Sequence, residues 1–565
     1  MSLSAVGSIQ TYKLGVNWVS FPKHQPTLRR NRLQDICQNT VSAHTMGEEG
    51  RTMQKQIADI TSGTELFEKY EKLAQSHNLV LVSNRGPLEY RPGPNGDFQA
   101  RRGSGVVVTA LNTILENFPF TWIANAMGEG DRKASEAAAG EVIPSPLPNQ
   151  KVSVRFVVTP RRTYHKFYNI FCNPLLWFLQ HQMWSAPYTP NIDTAVHDAW
   201  NTGYTTVNQA LAETLIEEAN KSEKRPVIII HDYHLYLVGG MARKQLPDAL
   251  IYHYIHIPWP ATRNWQQLPA EIRTSICESL ASCDLVGFQS GTDVTNFLQS
   301  CETFIPGCHV DYASKIVEVG GHQTMVAAYP MSIDIAEIRN IGESTRTMEH
   351  QTNIQSLLCE FTLVRVDRAE PNKNIIRGFR SYSLLLQQHP ELLGKVIFLA
   401  FLAPSRTHIK QYERYLEEIE SVIQEINKTY RSNGWQPIHV FYENNYSQAM
   451  AGLRLYDGLL VNPVIDGMNL VAKEGPVVNT RNGVVILSET SGSYESLEAG
   501  ALSVAPADLS GTANKLYEAI LMSKDERKVR STTLVNSIAK HDVKRWHLDQ
   551  VSDIATLIDR WHQSS

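Results

Sequence analysis

The sequence has no long apolar segment, no paired cysteines and almost no excess of charge of either sign. No apolar run approaches the roughly 18 to 20 residues that cross a bilayer, and the longest candidates, 227–230 and 396–402, have the length of buried strands. We expect no secretory signal, because no basic segment followed by a continuous apolar core stands near the N-terminus. The 57 acidic residues nearly balance the 53 basic ones. Neither a membrane nor a nucleic acid is therefore expected as a partner.

Two patterns that commonly hold metals are also missing. The seven cysteines are scattered along the chain and include no Cys-x-x-Cys pair. An odd, unpatterned set is typical of reduced thiols in a cytoplasmic protein, and it offers no zinc site. The sequence contains no Asp-x-Asp motif either, an arrangement that often holds a divalent metal beside a diphosphate. We expect a soluble, cytoplasmic protein without a bound metal or other cofactor.

From residue 78 onward, short apolar runs alternate with segments of helical length, which is typical of βαβ units. The first runs are NLVLVSNR, RPVIIIHD, ALIYHYIH and CDLVGFQS; after a polar stretch, FTLVRVD, GKVIFLAFLAP, IHVFYEN, DGLLVNP and GVVILSE follow. We predict an α/β fold with two doubly wound domains, 78–335 and 359–540, joined by a linker, 336–358. Residues 1–77 are predicted to form a partly disordered extension, and 541–565 an amphipathic helix that braces the domains.

Polar side chains stand directly after several predicted strands. They are Arg85, His231, Asp232, His256, Arg368, Arg406 and Asp466. Ligands of open parallel sheets bind outside the carboxyl ends of the strands, where the strand order reverses. Two sheets facing each other would therefore form a cleft between the domains that is lined from both sides.

The segment RVDRAEPNKNIIRGF contains two cations at the end of a strand. Arg368 and Lys373 are five residues apart, and Pro371 would make the intervening turn rigid. A guanidinium fork and an ammonium group held in this way can bind a diphosphate. The alternative interpretation of this segment is a solvated charged turn.

The segment VIDGMNLVAKEGP joins a carboxylate to a predicted helix N-terminus. Asp466 comes first, and the first helical turn is expected to offer backbone N–H groups at Met468, Asn469 and Leu470. Asp466 is suited to bind sugar hydroxyls, while Glu474, farther along the helix, is suited to bind ribose hydroxyls. The segment therefore predicts a site for a nucleotide sugar.

Seven motifs occur in one order: SNRGPL, FYNIFCNPLLW, IIHDYHL, YIHIPWP, LAPSR, IDGMNLVAKEG and VVILSETSG. Together they resemble the trehalose-6-phosphate synthase family, over residues 79–546. These are retaining glycosyltransferases of family 20. The resemblance implies the GT-B architecture, in which two Rossmann-like domains face a cleft and the C-terminal helix crosses back.

The resemblance assigns roles to residues of this chain. It implies an acceptor phosphate site of Arg85, Tyr168, Trp177 and Arg406, four hydrogen-bond donors suited to a phosphate. Arg368 and Lys373 match the pair that stabilises the leaving diphosphate, and Asp232 matches a catalytic aspartate that holds the acceptor sugar near the reacting carbon. The residues implied in donor binding are Gly105, His256, Asp466, Met468, Asn469, Leu470, Val471 and Glu474.

Three segments depart from the usual family pattern. The usual glycine pair followed by leucine is Gly103-Ser104-Gly105-Val106 here, and the usual RLDYxKG is RAEPNKN. The second form, and the segment TWIANAMGEGDR, are similar to a branch that includes validoxylamine phosphate synthase. These departures leave the donor base and the acceptor open.

The resemblance implies transfer of glucose from UDP-, GDP- or ADP-glucose to glucose 6-phosphate, without a metal, giving trehalose 6-phosphate. One alternative is a transferase or pseudoglycosyltransferase of the same fold that uses a cyclitol phosphate or glycerol phosphate. Another is a non-catalytic sensor of sugar phosphates, although a sensor need not keep Arg368, Lys373, Asp232 and Asp466. The expected partners are small substrates, with a homo-oligomer possible.

Overall fold

The structure is a computed structural model that describes residues 63–93, 98–103, 108, 110–111, 117–148, 150–183, 191–432 and 434–564. Most of the predicted N-terminal extension, 1–62, lies outside these residues. Residues 63–76 of that segment form a helix. Leu66 and Tyr70 of this helix are buried against one face of the N-terminal β-sheet described next.

The first half of the chain forms a ten-stranded sheet and a separate hairpin. Its strands are β1 (Asn78–Ser83), β2 (Leu88–Pro92), β3 (Phe98–Arg102), β4 (Phe120–Asn125), β5 (Ile143–Pro144), β6 (Val152–Val157), β7 (Pro226–His231), β8 (Leu250–Tyr254), β9 (Leu285–Phe288), β10 (His309–Asp311), β11 (Ile316–Val319) and β12 (His322–Ala328). The sheet order is β10-β11-β12-β9-β8-β7-β1-β4-β6-β5, and β2 pairs with β3. Pairing is parallel from β12 to β6 and antiparallel at both edges.

The second half forms a six-stranded sheet in which every strand pair is parallel. Its strands are β13 (Phe361–Arg368), β14 (Val396–Ala403), β15 (Ile438–Phe441), β16 (Gly458–Val461), β17 (Val484–Ser488) and β18 (Leu502–Val504). The sheet order is β15-β14-β13-β16-β17-β18. The strand order therefore reverses beside β13, as it does beside β1 in the first sheet, and these reversals are where such folds bind ligands.

Helices cover the faces of both sheets. In the first half, besides 63–76, they are Glu129–Ala137, Arg161–His165, Trp177–Gln180, Thr194–Ala199, Thr205–Asn220, Val238–Arg243, Thr262–Trp265, Ala270–Leu280 and Gly291–Phe304, with π-helical turns at Lys166–Leu176 and Trp200–Tyr204. In the second half they are Ile335–Gly342, Thr345–Gln355, Ile375–Gln388, Lys410–Tyr430, Tyr446–Leu455, Val471–Val478, Tyr494–Leu497, Leu509–Leu521, Lys524–Lys540 and Val543–Ser564. Short 3₁₀ turns occur at Tyr233–Leu235, Pro371–Lys373 and Pro390–Leu392.

The central strands are apolar on both faces, which explains the continuous apolar runs of the sequence. In β1, Val80 and Val82 join one buried cluster, while Leu79 and Leu81 join the cluster on the opposite face. In the second sheet, the side chains of each central strand likewise alternate between two buried clusters, one on each face. The predicted doubly wound α/β architecture is confirmed, because each sheet has helices on both faces.

The two segments outside the predicted domains both carry helices. Residues 336–358, predicted as a linker, contain most of Ile335–Gly342 and all of Thr345–Gln355, and their Ile338 and Ile354 are buried against the second sheet. The final helix, Val543–Ser564, crosses back to the first sheet, where Trp546 donates a hydrogen bond to the carbonyl oxygen of Tyr329 at 3.1 Å. Among the described helices, none combines the length and apolar character that spanning a membrane requires.

Candidate functional site

The predicted site residues lie where the loops that follow β1, β7 and β8 meet the loops that follow β13, β14 and β16. A β-carbon built on Gly467 would lie 2.2 Å from the carbonyl oxygen of His256, so only glycine permits this approach of the two halves. His408 and Asn169 form a second contact between the halves, with Nε2 and Oδ1 3.0 Å apart. The two halves therefore face a shared site.

Four residues predicted to bind the acceptor phosphate come together in this site. The Tyr168 hydroxyl lies within hydrogen-bonding reach of both Arg85 and Arg406. Burial raises the pKa of Tyr168, but the charges of Arg406 and Arg85 lower it, and the pKa ends below its ordinary value. Trp177 is buried and faces Arg406, whose guanidinium carbon lies 5.5 Å from the centre of its ring. Two cations and a phenol thus converge on one point, although the sequence separates them widely.

Arg406 reaches this group from the second sheet. It follows β14 and has a left-handed backbone, with φ of 48°. Its Nη1 donates to Oε1 of Glu370 at 2.9 Å and to the Tyr412 hydroxyl at 3.1 Å. Since Tyr412 packs in the core of the first half, the Arg406 loop is held against the opposite domain.

Asp232 lies at the end of β7, with an unusual backbone and an unsatisfied oxygen. Its φ of 78° is rare for a residue other than glycine and is a form of strain found at functional sites. Oδ2 lies 3.5 Å from Nδ1 of His234, whereas Oδ1 is buried with no hydrogen-bond partner among the described residues. Burial raises the pKa of Asp232, but the hydrogen bond and charge of His234 lower it to about 2. The carboxylate is therefore ionised and has an oxygen available for a ligand hydroxyl.

Three histidines, His231, His234 and His256, lie around Asp232. Nδ1 of His231 lies 3.0 Å from Nε2 of His256, so one nitrogen donates to the other. Burial lowers the pKa of His256 to about 4, and it lowers the pKa of His231 well below its ordinary value. Both rings are therefore neutral near pH 7. His231 fixes the orientation of His256 beside the site, a role that only its neighbour in space reveals.

The predicted diphosphate-binding cations occupy different environments. Lys373 lies in the 3₁₀ turn after β13 and forms an ion pair with Oδ2 of Asp466. That oxygen also accepts from Asn469 at 3.1 Å. The Arg368 side chain is 57% exposed and lies 3.2 Å from Oε2 of Glu370. Arg368 is therefore largely exposed to solvent, whereas Lys373 is held against Asp466, a predicted sugar-binding carboxylate.

The loop after β16 has a different form from the one predicted. The helix begins at Val471, so Met468, Asn469 and Leu470 precede it and do not form its first turn. The prediction of helical residues there is wrong because Asn469 has a φ of 65°, which a right-handed helix excludes. At the helix start, the amides of Ala472 and Lys473 donate to the carbonyl oxygens of Asn469 and Leu470, at 3.2 and 2.9 Å.

Glu474 lies on the Val471–Val478 helix, and its Oε1 accepts a hydrogen bond from the Tyr446 hydroxyl at 2.9 Å. Burial raises the pKa of Glu474 to about 7, while the Tyr446 hydrogen bond acts in the opposite direction. The carboxylate is thus poised to change charge near neutral pH. Gly105, also predicted to bind the donor, lies outside the described residues.

Two further side chains of the site were missed by sequence reasoning. Glu370 is fully buried between Arg368 and Arg406. Lys473 is buried too, and its Nζ donates to the carbonyl oxygen of Met331 at 2.7 Å. In the sequence, Glu370 is recognisable only as a charged residue inside RAEPNKN, and Lys473 only as one inside VAKE. Within the described ranges, no three His, Cys, Asp or Glu side chains are grouped as metal ligands would be.

Comparison with known proteins places this site in a family. Residues 77–556 match the family described as "Glycosyltransferase family 20". The alpha,alpha-trehalose-phosphate synthase [UDP-forming] A of Dictyostelium discoideum is 30% identical over 491 residues, which cover 85% of this chain and 62% of that protein. This chain thus spans less than two thirds of the length of that relative.

Solved structures show the same architecture. The synthase (UDP-forming) from Burkholderia xenovorans, solved in complex with glucose-6-phosphate, aligns with a TM-score of 0.72 and 25% identity, covering 85% of this chain and 100% of that one. The E. coli trehalose-6-phosphate protein bound with UDP-2-fluoro glucose aligns with a TM-score of 0.72 and 25% identity, covering 84% of this chain and 98% of that one. Both alignments agree with the GT-B architecture of two Rossmann-like domains. With its motifs, its GT-B fold and its converging side chains, the chain belongs to glycosyltransferase family 20.

Proposed function

We propose that this glycosyltransferase moves glucose from UDP-glucose to glucose 6-phosphate, giving trehalose 6-phosphate and UDP with retention of anomeric configuration. The observation that carries the proposal is the convergence of Arg85 and Arg406 on the Tyr168 hydroxyl. Guanidinium forks and a phenol form a group of donors suited to a phosphate monoester. UDP as the product is supported by the relative named UDP-forming and by the structure solved with UDP-2-fluoro glucose.

Arg368 and Lys373 would stabilise the charge that develops on the departing diphosphate. Arg368 is largely exposed, so its guanidinium can turn toward a bound diphosphate without breaking the core. Lys373 is held beside Asp466, which would receive hydroxyls of the transferred sugar. Positioned cations of this kind act most strongly where charge develops in the transition state. We propose that they make a divalent metal unnecessary.

In the proposed reaction, the acceptor hydroxyl attacks the anomeric carbon from the face on which the diphosphate departs. The carbon–oxygen bond to the diphosphate breaks, the bond to the acceptor oxygen forms, and a diphosphate oxygen takes the hydroxyl proton. Asp232 would orient the acceptor through its free Oδ1. Its pKa of about 2 keeps it ionised, so we assign it no role as a proton donor.

A cytoplasmic location is also proposed, on the support of the cysteines. Six of them lie among the described residues, and all six are free thiols. The absence of a cofactor and the possible homo-oligomer stay predictions.

A matrix of donors and acceptors tests the proposed function. UDP-, GDP- and ADP-glucose would each be combined with glucose 6-phosphate, a cyclitol phosphate and glycerol phosphate, with released nucleotide measured. We expect the fastest release from UDP-glucose with glucose 6-phosphate. Release only with another acceptor would support that alternative, and binding without turnover of any pair would support a sensor.

The same assay tests independence from metal. We expect the rate of UDP release to be unchanged in excess EDTA, because Arg368 and Lys373 supply the positive charge at the diphosphate. The control is a reaction in EDTA to which magnesium is restored. A rate that falls in EDTA and recovers with magnesium would contradict the proposed role of the two cations.

The KM for the donor should depend on the charge of Glu474. Below pH of about 7 this carboxyl binds a proton, and it then accepts hydrogen bonds from ribose hydroxyls less well. We expect the donor KM to rise between pH 8 and pH 6, with a smaller change in kcat. Glu474→Gln should give a high donor KM at both pH 6 and pH 8. Tyr446→Phe should move the rise in KM to higher pH, because the Tyr446 hydrogen bond lowers the pKa of Glu474. A pH dependence that persists in Glu474→Gln would show that another group causes it.

A further inference from the structure

Glu370 is a buried carboxylate that touches both of the cation groups described above. Its Oε1 accepts from Nη1 of Arg406 at 2.9 Å and from the Ser405 hydroxyl at 2.8 Å. Its Oε2 lies 3.2 Å from Nη2 of Arg368. Arg368 belongs to the predicted diphosphate clamp and Arg406 to the predicted acceptor phosphate site. One side chain therefore bridges two binding sites.

The backbone holds Glu370 firmly in this position. The Ala369 amide donates to the carbonyl oxygen of Ala403 at 2.9 Å, which ties this turn to the end of β14. Pro371 follows and begins the 3₁₀ turn that carries Lys373. A residue before proline is restricted to extended conformations, and Glu370 has φ of −121° and ψ of 141°. The position of its carboxylate is thus determined by the chain on both sides.

The electrostatics of Glu370 suit a bridge rather than a simple core residue. It has no exposed surface, and a buried carboxylate is costly unless cations and donors surround it. Burial raises its pKa, but Arg368, Arg406 and Lys373 lower it to about 2. Oε2 also has no hydrogen bond within the described part of the chain, so the nearby Arg368 is its main compensation. An unsatisfied oxygen of this kind calls for a functional explanation.

We propose that Glu370 is a positioning residue that orients Arg368 for the donor diphosphate and Arg406 for the acceptor phosphate. The inference rests on the proposed function for the identity of the two anions. Glu370 touches neither substrate in this arrangement, because both of its oxygens face arginines. Glu370 and Tyr412 both accept from Nη1 of Arg406, so the bridge to Glu370 engages one of the three guanidinium nitrogens. Binding of either substrate therefore does not require the bridge to break.

The test is a pair of double-mutant cycles in which dissociation constants for UDP and glucose 6-phosphate are measured by calorimetry. Glu370→Gln, which preserves the shape of the side chain, should weaken both ligands by about 10- to 100-fold, the range for hydrogen bonds between charged groups. In an Arg406→Ala background, Glu370→Gln should no longer weaken glucose 6-phosphate but should still weaken UDP. In an Arg368→Ala background, the pattern should be reversed.

This crossed pattern separates positioning from a general loss of structure. A merely structural effect would weaken both ligands equally in each background, and that result would overturn the proposal. Glu425→Gln is the matched control, because it breaks an exposed ion pair with Arg380, and neither residue is assigned to the site. It should leave both dissociation constants unchanged.

A second variant covers the case in which Glu370→Gln folds poorly. Glu370→Asp keeps the charge but is one methylene shorter, so it cannot span both arginines, and it should weaken at least one ligand with the same background dependence. Wild-type affinity for both ligands in folded Glu370→Asp would overturn the proposal. If the wild-type protein binds neither UDP nor glucose 6-phosphate, the proposed function has failed instead.

Discussion

Arg368→Ala is expected to lower kcat by about 100- to 1000-fold, the range found when one preorganised donor to a developing charge is removed. Arg368 ends β13 at the reversal of strand order, and Glu370 holds it at 3.2 Å. Its guanidinium would contact the diphosphate most strongly as the sugar departs. The measurement is single-turnover release of UDP at saturating concentrations of both substrates.

Loss of Arg368 also has a structural cost that requires its own control. The side chain is 57% exposed, but it lies 3.2 Å from the buried Oε2 of Glu370, so thermal unfolding should be measured beside the kinetics. Arg377→Ala is the control for loss of a positive charge, because Arg377 is exposed and donates to Oδ1 of Asn374 at 3.0 Å, a residue to which no role in the site is assigned. It should keep full activity. Arg368→Lys should recover only part of the rate, since lysine lacks the planar fork. Full activity of Arg368→Ala would exclude Arg368 from the diphosphate site.

Arg406→Ala is expected to raise the KM for glucose 6-phosphate by about 100-fold while leaving the KM for UDP-glucose nearly unchanged. A charge-assisted pair with phosphate contributes roughly 1.5 to 3 kcal/mol, and Arg406 also fixes the position of the Tyr168 hydroxyl. Inorganic phosphate should compete with the acceptor in the wild-type protein and lose that effect in the variant. Initial-rate kinetics with each substrate varied in turn provide the measurement.

Arg406→Ala also has a structural cost that requires its own control. The residue has a φ of 48°, and its loss leaves the buried Glu370 with less compensation. Thermal unfolding should therefore accompany the kinetics, and Tyr412→Phe is a useful comparison because it removes one hydrogen bond to the same guanidinium. That variant should disturb the acceptor KM far less. An equal rise of both KM values in folded Arg406→Ala would contradict its assignment to the acceptor phosphate.

Some features of the fold could be predicted from local patterns. The run NLVLVS became β1 and the run VIFLAFLA became β14, because continuous apolar residues fit strands that are buried on both faces. The amphipathic spacing after residue 541 predicted the final helix, which the structure places on the first sheet. Periodicity of this kind reflects only which faces of an element are buried, and a single segment carries that information.

Loop geometry was harder to predict, because it depends on contacts that are distant in the sequence. The helix at Val471 starts later than expected, since Asn469 adopts a left-handed backbone while its amide donates to Asp466. The histidines of IIHDYHL show the same limit. The sequence places His231 at the end of one strand, but only the pairing of β7 with β8 brings it into contact with His256, which follows β8. The local secondary-structure propensity of the sequence predicts neither of these contacts.

By itself, the sequence determined the two doubly wound domains, the strand-end positions of the polar residues and the family whose motifs they match. Only the tertiary structure decided that Arg406 crosses to Trp177 and Tyr168, and that the buried Glu370 joins it to Arg368. The physical reason is that apolar periodicity encodes which face of each element is buried. The meeting of side chains from two sheets depends on how those sheets pack across the cleft, where a shift of about 1 Å is enough to break a charge-assisted hydrogen bond.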